Sequence, residues 1–86
     1  MRQIKFEIDA LKELEEWIQV HPKTVSKIID LLQEIGKTPF EGKGKPEPLK
    51  NKFKGFWSRR ITEEHRLIYE VTATTINVVS CKGHYS

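Results

Sequence analysis

Three residues carry functional groups that can catalyse the cleavage of a phosphodiester bond. Glu47 has a carboxylate, Arg66 a guanidinium and His84 an imidazole. A carboxylate or an imidazole can move a proton, and a guanidinium can bind two phosphoryl oxygens at once. Pro46 and Pro48 flank Glu47 and favour an extended backbone there, which can aim the carboxylate. These residues are candidates for catalysis; the alternatives are an exposed glutamate, a surface ion pair and a terminal histidine without a role.

A basic segment with interspersed aromatic rings, residues 38–70, contains two of these candidates. Lys43, Lys45 and Lys50 lie close to Glu47 in the sequence. Further along, lysines alternate with the aromatic residues Phe53, Phe56 and Trp57. Lysines bind phosphates and aromatic rings stack on unpaired bases, so the pattern is typical of a surface for single-stranded nucleic acid. The alternative is that the rings fill the core; we prefer it for Trp57 and leave it open for Phe53.

Two further arginines are separated by the geometry of a strand. Arg59 and Arg60 are neighbours in a predicted strand and therefore point to opposite faces of the sheet. If Trp57 faces the core, Arg59 does so too and must reach the rim or find a partner. Arg60 then shares the other face with Arg66. Two guanidiniums on one face form a site for an anion, which favours phosphate binding over separate surface ion pairs.

Length, charge and cysteine content narrow the class of protein. The 86 residues predict one domain, 1–86. Residues 1–34 hold five basic and seven acidic side chains, a net charge of −2; residues 35–86 hold ten and five, a net charge of +5. The basic half suits a polyanion, although a solvated basic face is the plainer alternative. The single cysteine, Cys81, and the absence of a long apolar run predict a cytoplasmic protein with no membrane span.

The elements that must position these residues follow from hydrophobic periodicity. Residues 4–6 alternate as in a short strand, and two apolar stripes at helical spacing predict a helical hairpin. We expect both stripes to face the core; the first comprises Ile8, Leu11, Leu14, Trp17 and Ile18. We expect Asp9 to cap the first helix, Pro22 to begin the second and Gly36 to follow it. Residues 38–55 have no pattern and are expected to form a long loop. Three strands follow, at 56–62, 65–71 and 75–82. The fold class is therefore α+β: a strand, two helices and an antiparallel three-stranded meander.

At this point the motifs resemble a known family. TPFEGKGKPEPLK at 38–50, GFWSRRITEEHRLIYE at 55–70 and the closing His84-Tyr85 resemble the YoeB/Txe family of bacterial toxins, relatives of RelE with a RelE/ParE-like fold. The resemblance is dense over residues 38–71 and looser over the helices. It implies the toxin of a type II toxin–antitoxin pair, an endoribonuclease that cuts mRNA in the ribosomal A site. It also implies a YefM-like antitoxin as a partner, and a homodimer.

The resemblance assigns a role to each candidate. It makes Glu47 the general base, Arg66 the stabiliser of the transition state and His84 the general acid of a reaction without metal or cofactor, which gives a 2′,3′-cyclic phosphate. It makes Lys50, Arg60 and Tyr85 supporting substrate contacts, and the basic pattern around Glu47 adds Lys43 and Lys45 as RNA contacts. Gly83 departs from the family pattern, since a larger residue there would brace the tail, so we expect looser positioning of the imidazole. The alternatives are a ParE-like toxin with a protein target and a non-catalytic regulator that binds RNA or the ribosome.

Overall fold

The computed structural model describes residues 1–83, in which two helices pack on one face of a five-stranded sheet. His84, Tyr85 and Ser86 lie outside the described residues. The elements are β1 (Gln3–Phe6), α1 (Ile8–Val20), α2 (Pro22–Lys37), β2 (Glu47–Pro48), a 3₁₀ helix (Asn51–Phe53), β3 (Phe56–Arg60), β4 (Arg66–Val71) and β5 (Thr75–Ser80). The α+β class and the order of strand, helical hairpin and meander are confirmed.

The sheet contains two strand pairings that the sequence did not predict. Its strand order is β1-β5-β4-β3-β2, and β1 pairs with β5 in parallel while the other pairs are antiparallel. The second addition is β2, which forms inside the segment expected to be a loop without structure. There the two prolines hold the chain extended, and the Leu49 N–H donates to the Phe56 carbonyl at 2.9 Å. Glu47 therefore lies on an edge strand rather than in an irregular loop.

The core lies between the helices and the sheet. On α2 the buried row comprises Ile28, Leu31, Leu32 and Ile35, and β4 and β5 contribute Leu67, Tyr69, Ile76 and Val78. On α1 the inward row is Ala10, Leu14 and Trp17, which recur at i, i+4 and i+7. The prediction that the rest of the α1 stripe faces the core is wrong. Its remaining residues, Ile8, Leu11 and Ile18, are 66%, 50% and 53% exposed. That leaves an apolar strip on the outer side of α1.

Two of the three predicted helix boundaries are also wrong. Glu7 precedes α1 without a side-chain cap, and Asp9 lies in the first turn. Pro22 begins α2 as predicted. Gly36 lies inside α2 and is buried next to the Met1 side chain, and a Cβ there would make an ordinary contact with that side chain at 3.5 Å. The helix instead ends at Lys37, and the Thr38 N–H donates to the Glu34 carbonyl at 2.8 Å. Within residues 1–83, no helix is long and apolar enough to span a membrane.

Candidate active site

Three of the candidate residues lie on the face of the sheet away from the helices. Glu47 pairs with Ser58 across β2 and β3, and Arg60 pairs with Arg66 across β3 and β4. Directly opposed residues share a face, as do alternate residues of one strand, so Glu47, Arg60 and Arg66 point to the same side. The predicted face of Arg60 and Arg66 is confirmed. The structure thus brings a carboxylate and two guanidiniums to one surface.

The turn between β3 and β4 holds the Arg66 guanidinium. Its Nη1 donates to the carbonyls of Thr62 at 2.8 Å and Glu63 at 2.9 Å. Because a guanidinium has five N–H donors, a phosphoryl group can still be bound by the remaining ones. Arg60 is held more loosely, with its Nη1 3.8 Å from a carboxylate oxygen of Glu63. Both arginines are half-buried, whereas Glu47 is exposed.

A groove that includes Arg60 holds further cations beside α2, and among the described residues neither Glu47 nor Arg66 lines it. It has a volume of about 630 Å³ and lies between α2, the 43–45 segment and the end of β3. Its cationic lining comprises Lys27, Lys43, Lys45 and Arg60, and Asp30 and Glu63 also line it. The lysines at 43, 45 and 50 are exposed, as expected of phosphate-binding side chains. The sequence did not predict Lys27 as part of this groove, because nothing in an amphipathic helix marks one exposed lysine as adjacent to a distant loop.

Arg59 has the opposite role to its neighbour, because it is completely buried. Its guanidinium forms an ion pair with Glu34 of α2. It also donates to the Thr38 carbonyl at 2.6 Å, the Glu41 carbonyl at 2.8 Å, the Lys43 carbonyl at 3.2 Å and the Tyr69 hydroxyl at 3.2 Å. The expectation that a core-facing arginine needs a partner is confirmed. Arg59 therefore fastens the segment 38–43 to the sheet, a few residues ahead of Glu47.

A glycine allows the same segment to approach α2. Gly42 has a φ of +124°, and a Cβ there would lie 2.0 Å from a carboxylate oxygen of Glu34. That oxygen accepts the Lys43 N–H at 2.6 Å. Any larger residue at position 42 would have to displace Glu34 from both the Lys43 amide and Arg59. The glycine of the FEGKG motif is thus explained by packing.

The Glu34 contacts predict a pH dependence of stability. The hydrogen bond from the Lys43 N–H lowers the pKa of Glu34 below its ordinary value of 4.5, with help from Arg59 and against the desolvation that raises it. A folded-state pKa below the unfolded one gives stability that is complete above the unfolded pKa and is lost as the pH falls through the folded pKa. We expect the free energy of unfolding, measured with urea, to fall more steeply below pH 4.5 in the wild type than in Glu34→Gln. Exposed Glu15→Gln is the matched control, and equal slopes for wild type and Glu34→Gln would contradict the assignment.

The end of the described chain returns to β4 beside Arg66. The Gly83 N–H donates to Nδ1 of His65 at 2.8 Å, and the Arg66 N–H donates to the Gly83 carbonyl at 2.7 Å. His84 and Tyr85 follow directly but lie outside the described residues, so their roles stay predictions. No local pattern in the sequence predicts the contact between His65 and Gly83, which lie 18 positions apart. Within residues 1–83, no His, Cys, Asp and Glu side chains gather as a group of three or more that would hold a metal ion.

Comparison with known proteins finds a family match over most of the chain. Residues 6–85 match a family model described as YoeB-like toxin of bacterial type II toxin-antitoxin system. Toxin YoeB of Escherichia coli K12 is 54% identical over 69 residues, which cover 80% of this chain and 82% of the relative. Toxin RelK of Mycobacterium tuberculosis is 40% identical over 85 residues, covering 99% and 100%.

Solved structures agree with this fold over nearly the whole chain. A structure of the YoeB dimer from Staphylococcus aureus has a TM-score of 0.90 at 42% identity and covers 98% of each chain. A YoeB–YefM complex from the same organism has a TM-score of 0.88 at 42% identity and covers 99% of each chain. A YafQ structure from E. coli, 19% identical with a TM-score of 0.82, covers 98% of this chain and 94% of its own and shares the fold alone.

Proposed function

Because the chain belongs to the YoeB-like toxin family of bacterial type II toxin–antitoxin systems, we propose that it is the ribonuclease toxin of such a pair. It cuts mRNA in the ribosomal A site and thereby stops translation. One observation carries the proposal: Glu47, Arg60 and Arg66 share one face of the sheet in a chain whose family match runs through residue 85. That face has the groups for cleavage, which a purely RNA-binding surface does not require.

The proposed reaction is a transesterification within the RNA. Glu47 removes the proton from a ribose 2′-hydroxyl, and that oxygen attacks the adjacent phosphorus. Arg66 stabilises the negative charge that grows on the phosphoryl oxygens. His84 protonates the 5′-oxygen as the P–O5′ bond breaks. The products are a 2′,3′-cyclic phosphate and a 5′-hydroxyl, and every proton transfer is performed by a side chain, so no metal ion is required.

The remaining cations hold the substrate rather than react with it. Lys43, Lys45 and Lys50 are exposed beside the edge strand that carries Glu47, and they suit the phosphates on either side of the cut. Arg60 faces the same side as Arg66 and binds the phosphate together with it. Tyr85 is proposed as a further RNA contact, on the family motif alone. All of these residues belong to one domain, which we propose spans residues 1–86.

The partners are proposed from the relatives and from the surface of α1. Solved structures of relatives include a YoeB dimer and a YoeB–YefM complex from S. aureus. We propose the same two partners here, a second copy and a YefM-like antitoxin. The exposed Ile8, Leu11 and Ile18 on α1 support this, because an apolar strip of that kind is commonly covered by another chain.

Purified protein added to translating ribosomes tests the proposal. We expect mRNA cuts confined to the codon in the A site, with 2′,3′-cyclic phosphate and 5′-hydroxyl ends and no cuts in free mRNA. His84→Ala should bind ribosomes but leave the mRNA intact. If the wild-type protein slows the migration of RNA in a native gel but does not cut it, the protein is instead a non-catalytic RNA-binding regulator. Growth arrest without any mRNA cleavage would indicate a toxin with a protein target.

A further inference from the structure

We propose that His65 is a positioning residue: its Nδ1 atom holds the Gly83 amide and so fixes the point from which the chain reaches His84. This inference rests on the proposed function, since it takes His84 as the general acid. Two hydrogen bonds hold the peptide groups of Gly83. Its N–H donates to His65 Nδ1 at 2.8 Å, and its carbonyl accepts the Arg66 N–H at 2.7 Å. The dipeptide His65-Arg66, where β4 begins, thus carries the proposed catalytic arginine and binds the residue before the proposed acid.

These two hydrogen bonds hold the chain at position 83, where glycine has no side chain to do so. A larger residue was expected to brace the tail, but Gly83 is braced through its own peptide groups. Its φ is +74°, in the left-handed region that favours glycine. Within residues 1–83, no atom would lie within 4 Å of a Cβ at this position, so these residues leave space for a side chain. The backbone conformation that lets Gly83 meet both His65 and Arg66 is what favours glycine.

The imidazole of His65 is itself oriented. Because Nδ1 accepts a hydrogen bond, the proton of the neutral ring must be on Nε2. The ring packs edge-on against Trp17 of α1, with centroids 4.8 Å apart and an interplanar angle of 86°. The Trp17 indole N–H donates to the Cys81 carbonyl at 2.9 Å. Trp17 therefore contacts both the histidine and the segment that the histidine holds.

Helix α1 fastens the residues immediately before Gly83. A carboxylate oxygen of Glu13 accepts the Cys81 N–H at 2.8 Å and the Ser80 hydroxyl at 3.1 Å. The Lys82 ammonium pairs with Glu16 at 2.5 Å. Residues 80–83 are thus attached to α1 at several points and to β4 at their end. The chain leading to His84 is ordered by folding, so substrate binding need not order it, and His65 makes the last side-chain contact along residues 80–83.

The test compares two substitutions that differ in one acceptor. Asparagine places its side-chain oxygen close to where histidine has Nδ1, so His65→Asn can still accept the Gly83 N–H, whereas His65→Ala cannot. With ribosomes in single-turnover conditions, we expect His65→Ala to cut mRNA about 10- to 100-fold more slowly, since small misplacements of catalytic groups cost up to that factor. The protein concentration for half-maximal cleavage should not change. His65→Asn should recover most of the rate, and His21→Ala, which removes a histidine that contacts Thr24 instead, should keep it.

Amide hydrogen exchange at Gly83 gives a second readout that does not depend on catalysis. His65→Ala should speed this exchange and His65→Asn should not. Wild-type cleavage by His65→Ala, alongside an inactive His84→Ala, would overturn the positioning role. Equal losses in His65→Ala and His65→Asn would also overturn it, because the ring and not the acceptor would then matter. Full cleavage by His84→Ala would overturn the proposed function instead, and the Gly83 exchange would still decide whether His65 holds the chain.

Discussion

Replacing Arg66 by alanine should slow mRNA cleavage on the ribosome by about 10²–10³-fold, the usual effect of removing one preorganised donor from a developing oxyanion. Of the two proposed catalytic residues that lie within residues 1–83, Arg66 is the more constrained. Its guanidinium is fastened to the β3–β4 turn through Thr62 and Glu63, and its backbone N–H holds Gly83. Because the turn sets its position before substrate arrives, the protein need not reorganise as charge develops. Single-turnover cleavage by purified protein measures the effect, and induced expression should no longer arrest growth.

The fold should survive this change, which separates loss of chemistry from loss of structure. The carbonyls that Arg66 contacts belong to an exposed turn and can bind water once the side chain is gone. Circular dichroism and thermal unfolding should therefore resemble those of the wild type. Arg2→Ala is the matched control, because Arg2 donates to the Thr72 carbonyl at 2.7 Å and has no proposed role in cleavage. Growth arrest by Arg66→Ala at the wild-type rate would contradict the proposed catalytic role of Arg66.

Replacing Arg59 by methionine should instead destabilise the whole domain. The substitution removes the donor for three carbonyls and the Tyr69 hydroxyl, and it leaves Glu34 without its cation. Each buried polar group left unsatisfied costs about 1–3 kcal/mol, and because part of the 38–43 segment can rehydrate we expect a total of about 3 kcal/mol or more. A domain of this size has a total stability of only about 4–13 kcal/mol, so the loss is a large fraction of it.

Urea and thermal denaturation measure this second effect. The melting temperature should fall by about 12–24 °C, given about 4–8 °C per kcal/mol for a domain of this size. Arg60→Met provides a control of the same chemistry at the next position. Its side chain is half-buried on the other face, so its stability should change by about 0.5 kcal/mol or less. Similar stabilities for the Arg59 and Arg60 variants would contradict the division of roles between the two arginines.

These two outcomes together would explain why adjacent arginines are not equivalent. Arg59 positions the segment 38–43 that leads to Glu47, while Arg60 faces the substrate side with Arg66. A loss of cleavage in an Arg59 variant would therefore follow from a displaced loop or an unfolded domain. A loss in an Arg60 variant, with stability retained, would follow from weaker RNA binding.

Much of this arrangement could be predicted because it depends on local periodicity. Alternation along a strand places Arg59 and Arg60 on opposite faces whatever the rest of the chain does, and that prediction is confirmed by the pairing of Arg60 with Arg66. The two helices and the meander followed from their apolar spacing in the same way. Glu47 was recognisable because two prolines restrict the backbone on either side of it. The resemblance to the family motif links Glu47, Arg66 and His84 independently of the fold.

Only the tertiary structure decided how distant segments meet. Arg59 binds Glu34, which is 25 positions away on a helix, and no local pattern distinguishes that glutamate from its neighbours. The parallel pairing of β1 with β5 joins the two ends of the chain, and the short β2 strand exists because β3 offers it an edge. The contact between His65 and Gly83 likewise depends on where β5 delivers the chain. Periodicity assigns a residue to a face, whereas its partner on that face is chosen by the packing of the whole molecule.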